Sequence, residues 1–330
     1  MMFRFFQIEV TRKCNMSCLM CPHAVFPKES LIHMDFEIFE RISTYFDKTE
    51  LIHLQGWGEP LLHSRIGEMI AIAKDSKASV GLTTNGVLIK KFVEELLNLD
   101  YIAISVGGIE RHKLLRGNDF QKLVENIRLL SELRGSANPK INITYLMTID
   151  NFKELPEVIR KLNFVDGFIV TNLDCVFSEK VYGMRVFDRK DIRNEVEKTL
   201  KKCEALAAEH GIAFKSPSVV SVERTICDAF PDSAVVFSAE GEVYPCVYLN
   251  LPFEKIQRIF RGRKFLIEKP SFGNITEMDL EEIWNQREYK DFRDVFRRRG
   301  TKIFSLKRIL GLESVNMPEY CKGCYKIYGI

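Results

Sequence analysis

Residues 3–23 read FRFFQIEVTRKCNMSCLMCPH, and the fold turns on how they are read. The first eight, FRFFQIEV (3–10), are apolar and aromatic enough to predict a buried strand. The loop that follows carries Cys14, Cys18 and Cys21 in a C-x3-C-x2-C pattern. Spacing this tight lets one loop wrap a small metal–sulfur cluster with three thiolates. Four thiolates would close an iron–sulfur cluster. Three leave one metal position open, where a bound small molecule can react. Zinc is the alternative occupant, with His23 as a fourth ligand beside the three cysteines.

Outward from this loop the chain alternates strand and helix. Five more strands are predicted at ELIHLQG (50–56), SVGLTTNG (79–86), DYIAISVGG (100–108), KINITYLMT (140–148) and VDGFIVTNL (165–173). Helical periodicity fills the gaps at 35–46, 64–76, 89–99, 119–134 and 152–162. Strands separated by helices of this length imply right-handed βαβ crossovers and a parallel sheet. Six strands are too few for a closed eight-stranded barrel, so the expected α/β fold is an open, partial (β/α)6 barrel of TIM type. Sites on β/α barrels lie at the C-terminal ends of the strands, and the cysteine loop follows strand one.

Beyond residue 173 the pattern changes. Residues 195–211 predict a helix ending at Gly211, and 211–219 a strand. SAVVFSAEGEVYPCVYL (233–249) predicts a hairpin turning at Glu240-Gly241, and 276–299 a helix with Thr276 as its N-cap. The expected division is a barrel domain with its connecting helix over 1–215 and a small α+β domain over 216–330.

Composition sets the class. With 330 residues, 46% hydrophobic and 28% charged, the chain reads as a soluble globular protein. No apolar run approaches a membrane span. Arg4 and Glu9 interrupt the N-terminus, which argues against a signal peptide. Nine cysteines, an odd number at metal-ligand spacings, fit a reducing cytoplasm better than disulfides. The net charge of +3 is uneven: residues 255–308 hold 15 Lys/Arg and 8 Asp/Glu, a net of +7 (15 less 8). Such a segment is either a solvated helix face with a loop, or a docking surface for an acidic partner. Its aromatics are too scattered to argue for nucleic acid.

The cysteine loop resembles the signature of the radical S-adenosylmethionine (radical SAM) family. The resemblance implies that Cys14, Cys18 and Cys21 hold a [4Fe-4S] cluster whose fourth iron is chelated by S-adenosylmethionine (SAM). It implies reductive cleavage of SAM to a 5′-deoxyadenosyl radical that takes hydrogen from a substrate. QGWGEPLL (55–62) resembles the family's GGEP motif, with Trp57 between the two glycines. Gly56 and Gly58 would let backbone approach a ligand, and Glu59 would neutralise an ammonium group; a plain βα turn is the other reading. At the end of strand three the Thr83 and Thr84 hydroxyls and the Asn85 amide could contact ribose or carboxylate, and by the resemblance Ser105 and Arg116 would surround the SAM carboxylate and ribose. Turn capping is the other reading of Thr83, Asn85 and Ser105. Met20 and Leu173 would lie near adenine.

Cys227, Cys246, Cys321 and Cys324 form a second set. With EGEVYPC (240–246), FGNI (272–275) and LEEIW (280–284), they resemble a SPASM-type extension. Four cysteines rather than seven imply one fully ligated auxiliary [4Fe-4S] cluster, with a structural zinc knot as the alternative. Cys203 is expected in the core. Asp174 and Cys175, after strand six, are candidates for acid/base or radical-relay roles. The expected enzyme modifies a peptide or protein, or matures a cofactor precursor, and takes electrons from a low-potential donor such as ferredoxin or flavodoxin. The alternatives are a tungsten-cofactor maturase of the same family, suggested by QGWGEP, and a non-catalytic two-cluster electron carrier or zinc-binding module.

Overall fold

The computed structural model describes residues 2–135, 138–301 and 317–330. The six expected strands form: β1 (Phe5–Ile8), β2 (Leu51–Leu54), β3 (Ser79–Thr84), β4 (Tyr101–Val106), β5 (Lys140–Leu146) and β6 (Gly167–Thr171). Between them run α1 (Phe36–Ser43), α2 (Ile66–Lys74), α3 (Val93–Leu96), α4 (Glu110–Arg116), α5 (Phe120–Arg134) and α6 (Leu155–Lys161). Neighbouring strands pair in parallel throughout, as crossovers of this kind require. One face of the sheet is fully buried, with Phe6, Ile8, Ile52, Leu82 and Ile104 enclosed, while the alternate positions His53, Thr83 and Ser105 are only partly buried.

The sheet extends past these six. After α7 (Glu179–Gly183) and α8 (Arg193–Glu209), β7 (Ala213–Lys215) adds in parallel to β6. At the other edge β8 (Ala234–Phe237) lies parallel to β1, and β9 (Val243–Tyr244) turns back against it. The order is β7-β6-β5-β4-β3-β2-β1-β8-β9. The expected hairpin at 233–249 therefore forms, with Gly241 at φ +84 in its turn, but it belongs to the barrel's own sheet. Phe237 packs edge-on to Phe6 at 5.3 Å, which closes the β1–β8 seam with apolar contact as well as hydrogen bonds.

Three local expectations differ. Residues 255–268, read only as basic, form a hairpin of β10 (Lys255–Phe260) and β11 (Arg263–Glu268), turning on Arg261 and Gly262. Both turn residues have positive φ, +49 and +72, the conformation a two-residue hairpin turn demands. The helix expected over 276–299 is two helices, α9 (Leu280–Asn285) and α10 (Arg287–Thr301), broken at Gln286. Its N-cap is Asp279 rather than Thr276, because Glu282 three residues on completes a capping box.

Not every cation of the basic segment faces solvent. Arg258, Arg293 and Arg299 are buried. Arg258 donates to the carbonyls of Tyr248, Tyr320 and Lys322, and the Arg293 guanidinium lies 3.6 Å from the Trp284 ring centre. Arg299 pairs with Glu223 at 2.7 Å. Residues 302–308 of that segment lie outside the described residues. None of the described helices is long and apolar enough to cross a membrane.

Candidate active site

The β2 turn and the end of α4 hold the cysteine loop at the strand ends. The Glu59 amide donates to the Lys13 carbonyl at 2.9 Å, and the Leu19 amide to the Leu115 carbonyl at 3.0 Å. The Cys18 thiol lies 3.8 Å from the Arg116 carbonyl, so the loop rests on the C-terminus of α4. His23, the possible zinc ligand, commits Nε2 to the Arg12 carbonyl at 2.8 Å.

Below the loop is a cavity of about 270 Å³. It gathers all the candidates of the first set. Cys14, Cys18, Cys21 and Met20 line it from the loop, and Gly56, Gly58 and Glu59 from the turn after β2. Thr83, Thr84 and Asn85 line it from the end of β3, Ser105 from β4, Arg116 from α4, and Leu173, Asp174 and Cys175 from the segment after β6.

Glu59 is buried, and burial lifts its carboxyl to about 7 against the pull of three donors. Those donors are Thr84 Oγ1 at 2.6 Å, the Asn85 amide at 2.7 Å and the Leu61 amide at 3.2 Å. Oε1 accepts two of the bonds and Oε2 one, which leaves Oε2 room for a further donor. Glu59 thus ties the β2 turn to the β3 turn while facing the cavity. The glycines have a different reason from the one expected. A Cβ at Gly58 would stand 2.5 Å from the Thr11 and Lys13 carbonyl oxygens, and one at Gly56 would meet Glu9 Cγ at 2.2 Å. Both let the cysteine loop and its strand close onto the β2 turn. Thr83 Oγ1 is engaged inside the barrel, 3.0 Å from His53 Nε2 and 3.3 Å from Gln55 Oε1. The Asn85 side chain donates to Asn15 Oδ1 at 2.8 Å.

Two features of the site escape a sequence reading. Glu9, fully buried, accepts from Arg12 Nε at 2.8 Å, from Asn250 Nδ2 at 3.0 Å and from the Trp57 amide at 3.0 Å. Arg12, itself 2% exposed, also forks onto the Glu240 carboxylate in the β8–β9 turn. Burial opposes its charge, but Glu9 and Glu240 hold it above the ordinary arginine range. Trp57, the residue that splits the two glycines, donates its indole N–H to the Asn250 carbonyl at 2.5 Å. Its place in the motif is thereby occupied by a contact to the C-terminal part of the chain. In the sequence Glu9 shows only as a charge inside an apolar stretch.

The thiols of the second cysteine set lie near enough to act on one another electrostatically. Burial pushes up the Cys321 thiol, and the nearby Cys324, Cys246 and Cys227 push it further. Cys246 rises to about 12, from burial first and Cys324 next. Cys175 lines the same cavity as the first set, its thiol raised by burial and then by Asp174, with Cys21 and Cys324 adding smaller effects. Beside it Asp174 accepts from Tyr248 at 2.6 Å and pairs with Lys326 at 3.0 Å. Cys203 is fully buried on α8.

The residues present fit a cluster and an anionic ligand. Without a metal, burial lifts Cys14 to about 11 and Cys21 to about 12. Three thiolates in one cavity therefore require a cationic core. Among the described residues no three such side chains converge closely enough for a single ion, whose thiolate bonds are about 2.3 Å. The Arg116 side chain is 9% exposed and its Nε is buried without a partner, a donor that suits a carboxylate.

Comparison with known proteins agrees with this geometry. The family model of the radical SAM superfamily matches residues 8–162, and that of the SPASM iron–sulfur cluster-binding domain matches 227–325. The chain belongs to the radical SAM superfamily and carries a SPASM domain. It is therefore an enzyme of SAM and [4Fe-4S] clusters. Among its relatives is the tungsten-containing aldehyde ferredoxin oxidoreductase cofactor-modifying protein of Pyrococcus furiosus, 28% identical over 305 residues, 88% of this chain and 83% of that one. The GTP 3′,8-cyclase of Helicobacter pylori is 20% identical over 86% of this chain and 92% of its own. In fold the chain is similar to Streptococcus suis SuiB bound to SAM (TM-score 0.65, 17% identity, 89% of this chain and 68% of that one). It is also similar to anSMEcpe with bound SAM and a peptide (TM-score 0.62, 19% identity, 98% and 95%).

Proposed function

We propose that this enzyme cleaves SAM in the 270 Å³ cavity and takes hydrogen from a small cofactor precursor, in cofactor maturation related to the tungsten type. The observation that carries the chemistry is the meeting of three loop cysteines, Glu59 and an unpartnered Arg116 Nε in that one cavity. The extent of the similarity to the tungsten-cofactor protein, which runs through most of both chains, supports the substrate class.

When bound, the cluster supplies the electron that breaks the sulfonium–C5′ bond of SAM. Cys14, Cys18 and Cys21 would hold that cluster; Arg116 would meet the SAM carboxylate and Oε2 of Glu59 its ammonium. Met20 and Leu173, both buried, would flank the adenine, and Thr83, Thr84, Asn85 and Ser105 the remaining polar edges. Cys227, Cys246, Cys321 and Cys324 would hold the auxiliary cluster. Cys175, its thiol raised by burial, would serve as a hydrogen-atom donor, and Asp174 beside it, held by Tyr248 and Lys326, would serve as the acid/base group. Electrons would come from a ferredoxin or flavodoxin in a reducing cytoplasm.

Peptide or protein modification is the second reading. An apolar groove of about 460 Å³ favours it, running past Leu19, Val25, Phe177 and Phe253 to Pro22 and Cys175 at the cavity rim. Electron paramagnetic resonance of anaerobically reconstituted, dithionite-reduced protein tests the common chemistry. Two cluster signals are expected, one shifting with SAM, together with formation of 5′-deoxyadenosine. Signals indifferent to SAM and no 5′-deoxyadenosine would make the chain an electron carrier instead.

A further inference from the structure

We infer that a second cavity, of about 380 Å³, is the substrate chamber, and that it takes a small molecule with a phosphate-bearing end and a hydrogen-bond-donating edge, such as a phosphorylated N-heterocycle. The inference rests on SAM being cleaved in the neighbouring cavity. The chamber lies inside the open barrel, between β6–β7 on one side and β1–β8 on the other. It shares Gln55, Val247 and Tyr248 with the cysteine cavity, so the two spaces adjoin across one wall. A molecule in the chamber is therefore beside the site where the radical forms.

Three polar features define what fits. Lys215, Arg224 and Lys326 line the chamber against Asp228. Lys326 is paired with Asp174 at 3.0 Å, while Arg224 reaches Asp228 only at 4.0 Å. Lys215 enters no ion pair among the described residues. Cations so placed suit an anion of more than one charge.

Asn172, 1% exposed, donates through Nδ2 to the Ser218 carbonyl at 2.7 Å, which fixes the orientation of its amide. Its Oδ1 is buried with no partner. A buried acceptor left so is destabilising, and an N–H or O–H of a ligand would satisfy it. At the shared wall Gln55 accepts through Oε1 from His53 Nε2 at 2.8 Å and from Thr83 at 3.3 Å. That leaves the Gln55 amide N–H groups to meet an acceptor on the ligand. A phosphorylated heterocycle presents an anion, donors and acceptors together; an apolar peptide segment does not.

Equilibrium dialysis of the cluster-loaded, SAM-bound protein under anaerobic conditions tests this, with GTP and inorganic triphosphate as probes. Both are expected to bind, and Lys215→Glu to weaken each at least tenfold. Asn172→Ala is expected to weaken GTP and leave triphosphate unchanged. Lys77→Glu, which alters net charge equally at an exposed site away from the chamber, is expected to leave both unchanged. Failure of both probes to bind at millimolar concentration, or equal losses in Lys215→Glu and Lys77→Glu, overturns the inference. The same wild-type preparation is assayed for 5′-deoxyadenosine. Its absence would sink the SAM reading, whereas its presence without probe binding would sink the chamber alone.

Discussion

Replacing Arg12 with Met removes the centre of the Glu9–Arg12–Glu240 network while keeping side-chain length. The Glu9 carboxylate is fully buried and would lose its only charged donor among the described residues, at 2.8 Å. Removing one partner of a buried pair costs about 3–5 kcal/mol. Glu9 would keep three neutral donors, the Trp57 amide, Asn250 Nδ2 and the Ala239 amide, which places the loss near the lower end, about 3 kcal/mol. The Glu240 side chain is 41% exposed, so the other half of the network adds little. Unfolding entropy of about 2.1 cal/mol/K per residue over 330 residues is roughly 0.7 kcal/mol/K, so the melting temperature should fall by about 4 °C. Thermal melts of anaerobic protein, followed by fluorescence of Trp57 and Trp284, measure it. Glu240→Gln should shift the melt by no more than about 1 °C. The pair Glu9→Gln with Arg12→Met should melt above Arg12→Met alone, because no buried charge is then stranded. Equal shifts for Arg12→Met and Glu240→Gln, or simple additivity in the pair, would refute the reasoning.

Cys246→Ala should abolish the second cluster signal in electron paramagnetic resonance and leave the SAM-responsive one; loss of both would show a single site. Arg116→Gln should weaken SAM binding by about 10- to 100-fold, the worth of a charge-assisted hydrogen bond of about 1.5–3 kcal/mol, and an unchanged affinity in equilibrium dialysis would remove Arg116 from the site. Glu59 carries a pH signature: its folded value, about 7, lies above the unfolded 4.5. Its contribution is therefore fully present below pH 4.5 and lost as pH rises through 7. Between pH 5 and 8 the wild type should lose on the order of 3 kcal/mol relative to Glu59→Gln, read as the changing gap between their urea midpoints. A gap independent of pH would show that Glu59 is not buried as described.

Much of the site was legible because its signals are local. Cys14, Cys18 and Cys21 are separated by so few residues that any loop holding them brings them together. The strand–helix rhythm places the turns at 55–59, 83–86 and 105–108 on the same face as that loop. Other local signals were present but outweighed. Asp279 with Glu282 spells a capping box as clearly as Thr276 suggests a cap. KIQRIF and RKFLIE flank an Arg-Gly turn, a strand pattern overlaid by a run of positive charge.

The chain's own order thus determined six parallel strands and the face that carries the cysteine loop. These follow from side-chain period and short spacing, which any local window contains. Only the tertiary structure decided that β8 pairs with β1, that Trp57 reaches Asn250, and that Glu9 and Arg12 meet Glu240. The chamber beside Lys215 and Asn172 likewise exists only because β7 and the C-terminal residues close the open side of the barrel. Those contacts join residues tens to hundreds of positions apart. Which distant segments meet is chosen by the burial and hydrogen bonding of the whole sheet at once, and no single stretch of sequence holds that information.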